Sequence, residues 1–258
     1  MISAMKEHAR RIVRVLAPPL VRNRPIDSWP GWLGRTLGVK VPRSLVPKAE
    51  CDPRGGANIN ILCALLDRTR SLDGDIADCG VYRGETTLGM ALHLRSRGIA
   101  KSIYGFDSFE GFNREVLAED LTRGGAENED REAHGFSLTS IQSIQENLKR
   151  FRLSNVFLVK GYFEKSLPDF ALSHEPPRLQ FSFAHLDVNL YESYKQCIEF
   201  FYPRMVASGI ILLDEYNDPP WPGCNKAVDE LLAGLPEKLE MIERDNYQKW
   251  YFVKMRGH

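Results

Sequence analysis

The chain of 258 residues sets 34 Lys+Arg against 34 Asp+Glu, a balance that excludes a chain-wide cationic field for nucleic acid. With 43% hydrophobic and 26% charged residues, 20 Gly and 15 Pro, the composition excludes collagen-like and disordered classes and suits one soluble domain of enzyme size. No run approaches the ~20 apolar residues of a membrane span, so stable membrane insertion is not expected.

In chain order, the first 24 residues carry six basic side chains and one acid. Arg10, Arg11 and Arg14 interrupt the apolar residues, which makes a poor signal peptide. The segment reads either as a basic amphipathic helix that touches lipid or a partner, or as an extension that packs on its own subunit or a neighbour. Pro18, Pro19, Pro25, Pro30, Pro42 and Pro47 break any sustained period. Residues 1–57 are therefore expected to be a helical accessory segment for oligomerisation or for covering an acceptor, and 58–258 the main domain. Cys51, Cys63, Cys79, Cys197 and Cys224 form no close pair, which reads as reduced thiols in a cytoplasmic protein.

The apolar spacing of Asn58 to Asp67 predicts a helix that opens the main domain. Strand and helix signals then alternate. A strand is predicted over 75–81, a helix over 85–97 stopped by Gly98, and a strand over 101–107. The acidic stretch 111–135 reads as a long loop, of the kind that forms lids and binding loops. A helix follows over 140–151, capped by Ser137 or Thr139, then a strand over 155–160. Further strands are predicted over 179–187 and 209–214, with helices over 191–202 and 226–235. Strands over 239–244 and 247–254, turning at Asp245-Asn246, close the chain. Trp250, Tyr251 and Phe252 read as sheet packing. Alternation of this kind predicts an α/β fold with a mostly parallel sheet, in which ligands bind at the carboxyl ends of the strands.

The strand ends carry the candidate chemistry. Asp78, Gly80 and Gly84 form a D-x-G-x-x-x-G turn, either a cradle for a ligand or a plain tight turn. Asp107 ends the second strand, placed either to accept two ribose hydroxyls or to cap a loop. Asp187, Asp214 and Glu215 end two later strands. Three converging carboxylates repel one another, so they read either as ligands of Mg²⁺, Ca²⁺ or Mn²⁺ or as capping and salt-bridging acids. His185 shares the face of Asp187 and reads as a packed strand histidine or a proton carrier.

These blocks, DCGVYRGETT, YGFDSFEGF, NVFLVKGYFEKSLP, HLDVNLYESYKQ to GIILLDEY, and CNKAVDE, resemble the macrocin O-methyltransferase (TylF/MycF-type) family of class I S-adenosylmethionine-dependent methyltransferases. The resemblance runs from about Gly74 to Lys254. It implies a Rossmann-like seven-stranded sheet with helices on both faces and the last strand inserted antiparallel. It implies that Asp78, Gly80, Tyr82, Gly84 and Thr86 surround the methionine end of the cofactor. Asp107, with Ser108 beside it, would hold the ribose, and Gly161, Tyr162 and Phe163 would flank adenine. Magnesium would sit on Asp187, Asp214 and Glu215. This chain has Asn189 and Glu215 where the family often has Asp, and Asp78 where it usually has Glu.

The expectation is thus an O-methyltransferase, cytoplasmic and homo-oligomeric (dimer or tetramer), acting on a sugar hydroxyl of a small-molecule glycoside in antibiotic biosynthesis. Asp187 is the first candidate for general base and His185 the second. The 111–135 loop would close over the acceptor. A polysaccharide or another small-molecule acceptor is an alternative. A nicotinamide oxidoreductase is disfavoured by the missing G-x-G-x-x-G, and a non-catalytic cofactor-binding homologue by the intact strand-end acids.

Overall fold

The computed structural model describes residues 57–124, 139–174, 179–244 and 247–255. The expected accessory segment, the Asp245-Asn246 turn and most of the acidic stretch beyond Gly124 lie outside the described residues. Helix α1 (Ala57–Thr69) opens the described chain and leads into β1 (Asp75–Cys79), α2 (Glu85–Arg97) and β2 (Ile103–Asp107). Gly98 closes α2 with a left-handed φ of 65°, and Ile99 N–H reaches back to Leu94 C=O at 2.9 Å, satisfying a terminal carbonyl.

The acidic stretch is not all loop. Helix α3 (Arg114–Thr122) forms inside it, because Asn113 Oδ1 accepts from Glu115 N–H at 3.0 Å and Leu117 finds an apolar partner in Trp221. Asp120 on α3 accepts from Tyr191 N–H at 2.6 Å, the first residue of α6 (Tyr191–Phe201), whose own N-cap Leu190 has no capping side chain. Helix α3 is thereby docked on the start of α6. Helix α4 (Ile141–Arg150) is capped by Ser140, not by Thr139, whose hydroxyl donates instead to Tyr82 C=O.

Strand β3 (Val156–Lys160) leads into α5 (Phe163–Ser173), a helix that no sequence signal announced because Pro168 stands inside it. Strands β4 (Phe181–Leu186) and β5 (Met205–Leu213) flank α6 and a short 3₁₀ turn, and α7 (Pro222–Leu232) starts earlier than expected, at a proline suited to a first turn. Strands β6 (Glu240–Arg244) and β7 (Tyr247–Val253) pair antiparallel.

Among the described residues the seven strands form one sheet in the order β3-β2-β1-β4-β5-β7-β6, all running the same way except β7, which is antiparallel to both its neighbours. Alternate residues of the central strands face opposite ways. Ile76, Ile103 and Leu212 pack with α1, α2 and α4 on one face, and Ala77, Phe106 and Leu213 pack with α5, α6 and α7 on the other. No helix among the described residues is long and apolar enough to cross a membrane. Cys79, Cys197 and Cys224 are free and buried, as expected of thiols, whereas Cys63 is disulfide-bonded, against the expectation.

Candidate active site

The register of the sheet decides which side chains meet. Asp78 pairs with His185 across β1 and β4, and Leu186 pairs with Leu213 across β4 and β5. The residues that leave β4 and β5 next, Asp187 and Asp214, therefore emerge side by side. Strand β1 stops two residues short of the expected Val81, at Cys79, and the chain turns at Gly80 with a φ of 88°. A Cβ there would lie 1.8 Å from the Asp187 carbonyl oxygen, so only glycine lets β1 and β4 run this close. Gly84, with φ 80°, sits against Ile144 of α4 and begins α2.

A cleft opens at this edge of the sheet. Gly80, Tyr82, Asp107 and Ser108 line it from the β1 and β2 ends, and Gly161, Tyr162 and Phe163 from the β3 end. Asp187 and Asn189 line it beyond β4, while Phe112, Asn113 and Val116, leading into and on α3, face Leu190 and Ser193 at the start of α6. Three other expected cofactor residues do not line the cleft. Asp78 is fully buried beneath it, and Gly84 and Thr86 belong to the helix start behind. Asp78 Oδ2 accepts from the hydroxyls of Thr86, at 3.3 Å, and Thr87, which ties the turn to α2.

Asp107 is held by two backbone donors, Tyr82 N–H at 2.7 Å to Oδ2 and Phe109 N–H at 2.6 Å to Oδ1. Burial raises its pKa, and these two donors work against the rise. Each oxygen of a carboxylate has a second lone pair, so Asp107 keeps two acceptor sites free for the cleft. Tyr82, Phe109 and Asn189 all hold positive φ (48°, 54° and 61°) where strands β1, β2 and β4 end, conformations that side-chain-bearing residues adopt only when their surroundings hold them there.

Behind Asp187 lies a charged cluster. His185 is fully buried, with Nδ1 2.8 Å from Asp78 Oδ1 and Nε2 3.5 Å from Asp214 Oδ1, the second an ion-pair distance without hydrogen-bond alignment. Burial alone would lower its pKa, but Asp214 and Asp78 overcome this and raise it to about 10. His185 does not line the cleft. Asp214 also meets Lys249 of β7, whose ammonium is 2.7 Å from Oδ2. Burial would raise the Asp214 pKa, yet His185 and Lys249 hold it well below the usual carboxylate range. Asp187 is pushed up to about 6, first by burial and then by the Asp214 charge.

Glu215 lies beside Asp187, to whose carboxyl it is hydrogen-bonded, but it does not line the cleft. It is 3% exposed, and its Oε2 meets the Tyr194 hydroxyl and accepts from Asn189 N–H at 3.4 Å. Burial, then the charges of Asp187 and Asp214, raise its pKa well above the usual value. Among the described residues, the three potential metal-ligand groups that converge within 4.8 Å are those of His185, Asp187 and Asp214, without Glu215. Lys249 was not singled out in the sequence. The signal that finds it is the β5–β7 register, since Leu213 opposite Trp250 puts Lys249 opposite Asp214. Tyr251 and Phe252 are buried in the sheet, as expected.

A family model described as macrocin-O-methyltransferase (TylF) matches residues 57–251. The chain is 28% identical over 146 residues to the 8-demethyl-8-(2,3-dimethoxy-alpha-L-rhamnosyl)-tetracenomycin-C 4'-O-methyltransferase of Streptomyces olivaceus, covering 55% of this chain and 53% of that one. It is 26% identical over 180 residues to the demethyldecarbamoylnovobiocin O-methyltransferase of Streptomyces niveus, covering 68% and 65%. The matches thus span between half and two thirds of the length of these relatives. The solved structure of CalS11, a calicheamicin methyltransferase, superposes with a TM-score of 0.65 at 18% identity, covering 97% of this chain and 91% of that one, a likeness of fold.

Proposed function

The chain belongs to the macrocin-O-methyltransferase family, and from that premise we propose that it transfers a methyl group from S-adenosylmethionine to a hydroxyl of a sugar carried by a small natural product. The observation that carries this reading is the joint position of Asp107 and Asp187 in one cleft, at the ends of β2 and β4 on either side of the Gly80 turn. The residues present fit the cofactor. The Gly80–Tyr82 turn would receive its methionine end, the free acceptor sites of Asp107 its ribose hydroxyls, and Tyr162 and Phe163 the adenine edge. When bound, S-adenosylmethionine supplies an activated methyl on a sulfonium.

The chain's own residues have two tasks, alignment and proton removal. An acceptor hydroxyl in the cleft between α3, the start of α6 and Asp187 would lie beside the open carboxylate. With the cofactor bound, Asp187 would take up the proton of the acceptor hydroxyl as that oxygen receives the methyl group. The raised pKa of Asp187 makes it a better base than an exposed aspartate. His185 is placed to hold Asp78 and Asp214, not to reach an acceptor. Helix α3, rather than a plain loop, forms the acceptor wall.

The expected magnesium site through Asp187, Asp214 and Glu215 does not fit the residues as placed. Glu215 is held by Tyr194 and Asn189 as well as by Asp187, and Asp214 has the Lys249 ammonium on one oxygen and the His185 ring beside the other. An ion between Asp187 and Asp214 would have to compete with the Lys249 ammonium, and no step is routed through one. The names of the relatives favour glycosides, the tetracenomycin enzyme's being a rhamnosyl compound. Calorimetry with S-adenosylhomocysteine, then transfer of labelled methyl to a panel of rhamnosides, tests the reading. A purified chain that binds no S-adenosylhomocysteine would overturn it.

A further inference from the structure

The repulsion that made a metal ion attractive at the strand ends is already relieved by a side chain. Lys249 donates to the Asp214 carbonyl oxygen at 2.7 Å while its ammonium also sits 2.7 Å from Oδ2 of the same residue. It is 9% exposed, and lysine is seldom buried to that degree unless paired. On the other side Asn58 Nδ2 donates to Asp214 Oδ1 at 3.3 Å, and His185 Nε2 lies 3.5 Å from the same oxygen. Both oxygens of Asp214 are therefore engaged by the protein itself. Asp187, which lines the cleft, has no such cation in contact.

We propose that Lys249 is a positioning residue that takes the place of a divalent cation at the strand ends, neutralising Asp214 and leaving Asp187 as the carboxylate of the β4 and β5 ends that faces the cleft. The inference rests on the reading of Asp187 as proton acceptor. It follows from charge and contact together. Asp78 is paired with His185, and Asp214 lies against both His185 and Lys249, whereas Asp187 is the strand-end aspartate that opens to the cleft. A lysine pinned through both its ammonium–carboxylate contact and a carbonyl oxygen is covalently tethered and does not exchange with solvent. The site therefore needs no ion to be complete, and an ion that enters must compete with a tethered charge.

The test is Mn²⁺ binding to the full chain loaded with S-adenosylhomocysteine, read by electron paramagnetic resonance, for the natural protein, Lys249→Met and Lys249→Arg. Lys249→Met keeps the apolar stem and removes the charge. The natural protein is expected to bind Mn²⁺ only weakly, near or above about 1 mM. Lys249→Met should gain a site at least ~10-fold tighter, which Asp214→Asn in the same background removes, and Lys249→Arg should not gain it. A merely structural lysine would lower stability and create no metal site. Tight Mn²⁺ binding by the natural protein, or no gain in a folded Lys249→Met, overturns the proposal. Where Lys249→Met does not fold, the natural protein's own Mn²⁺ affinity still decides. Absence of S-adenosylhomocysteine binding would sink the methyltransferase reading alone, because the Mn²⁺ comparison is then run on the unloaded chain.

Discussion

His185 donates from Nδ1 to Asp78 Oδ1 at 2.8 Å across the β1–β4 ladder, with both side chains fully sealed from solvent. A charged histidine in that position stores stability that depends on its proton. Its folded pKa of about 10 lies above the ordinary 6.5, so the contribution is complete below pH 6.5 and drains away as pH climbs towards 10. Denaturant midpoints of the natural protein should fall across that window. His185→Gln should start lower and show a flatter pH dependence, and parallel curves for the two proteins would contradict the assignment.

Asp187→Asn should reduce methyl transfer by about 10²–10⁴-fold while S-adenosylhomocysteine binding is retained, because only the proton acceptor is lost. In the natural protein kcat/KM should fall as pH drops through about 6, where the carboxylate takes up a proton, rather than near the value of an exposed aspartate. Steady-state rates across pH on one preparation check both statements. An active Asn variant would remove Asp187 from the mechanism.

Asp107→Ala deletes the acceptors offered to the ribose and also frees the Tyr82 and Phe109 N–H groups that shape the turn. Hydrogen bonds to a charged group contribute about 1.5–3 kcal/mol each, so S-adenosylhomocysteine affinity should weaken at least ~10-fold by calorimetry. Unchanged affinity would mean that the ribose lies elsewhere.

Gly80→Ala places a methyl group 1.8 Å from the Asp187 carbonyl oxygen, at a φ of 88°. The two penalties act together, and the loss of stability should exceed ~1 kcal/mol. A wild-type unfolding midpoint for this variant would show that β1 and β4 can part at no cost.

The alternation of β1, α2 and β2 was legible because each boundary carries its own chemistry: a glycine turn at Gly80, a glycine stop at Gly98 and an acid at Asp107. Helix α5 was not, since Pro168 imitates a breaker while the flanking turns tolerate it. Helix α3 was masked by its charges, although Asn113 and Leu117 mark its cap and its buried side. The candidate site divides in the same way. Asp107, Asp187 and the Gly161–Phe163 block stand at strand ends, where position in the chain predicts position in space. Glu215 and Lys249 were out of reach because their partners, Tyr194 and Asp214, are assigned by packing and by an antiparallel register that no local pattern encodes.

Strand β7 lies between β5 and β6, so β6 is made first and waits for the strand that joins it to the sheet. Synthesis runs from the N-terminus at about 5–20 residues per second. Until residue 247 has emerged, β5 presents a bare edge and Asp214 lacks its lysine. Strand β7 thus covers the β5 edge and completes the charge balance of the cluster in one event. A chain without β7 lacks both the cover for the β5 edge and the ammonium beside Asp214.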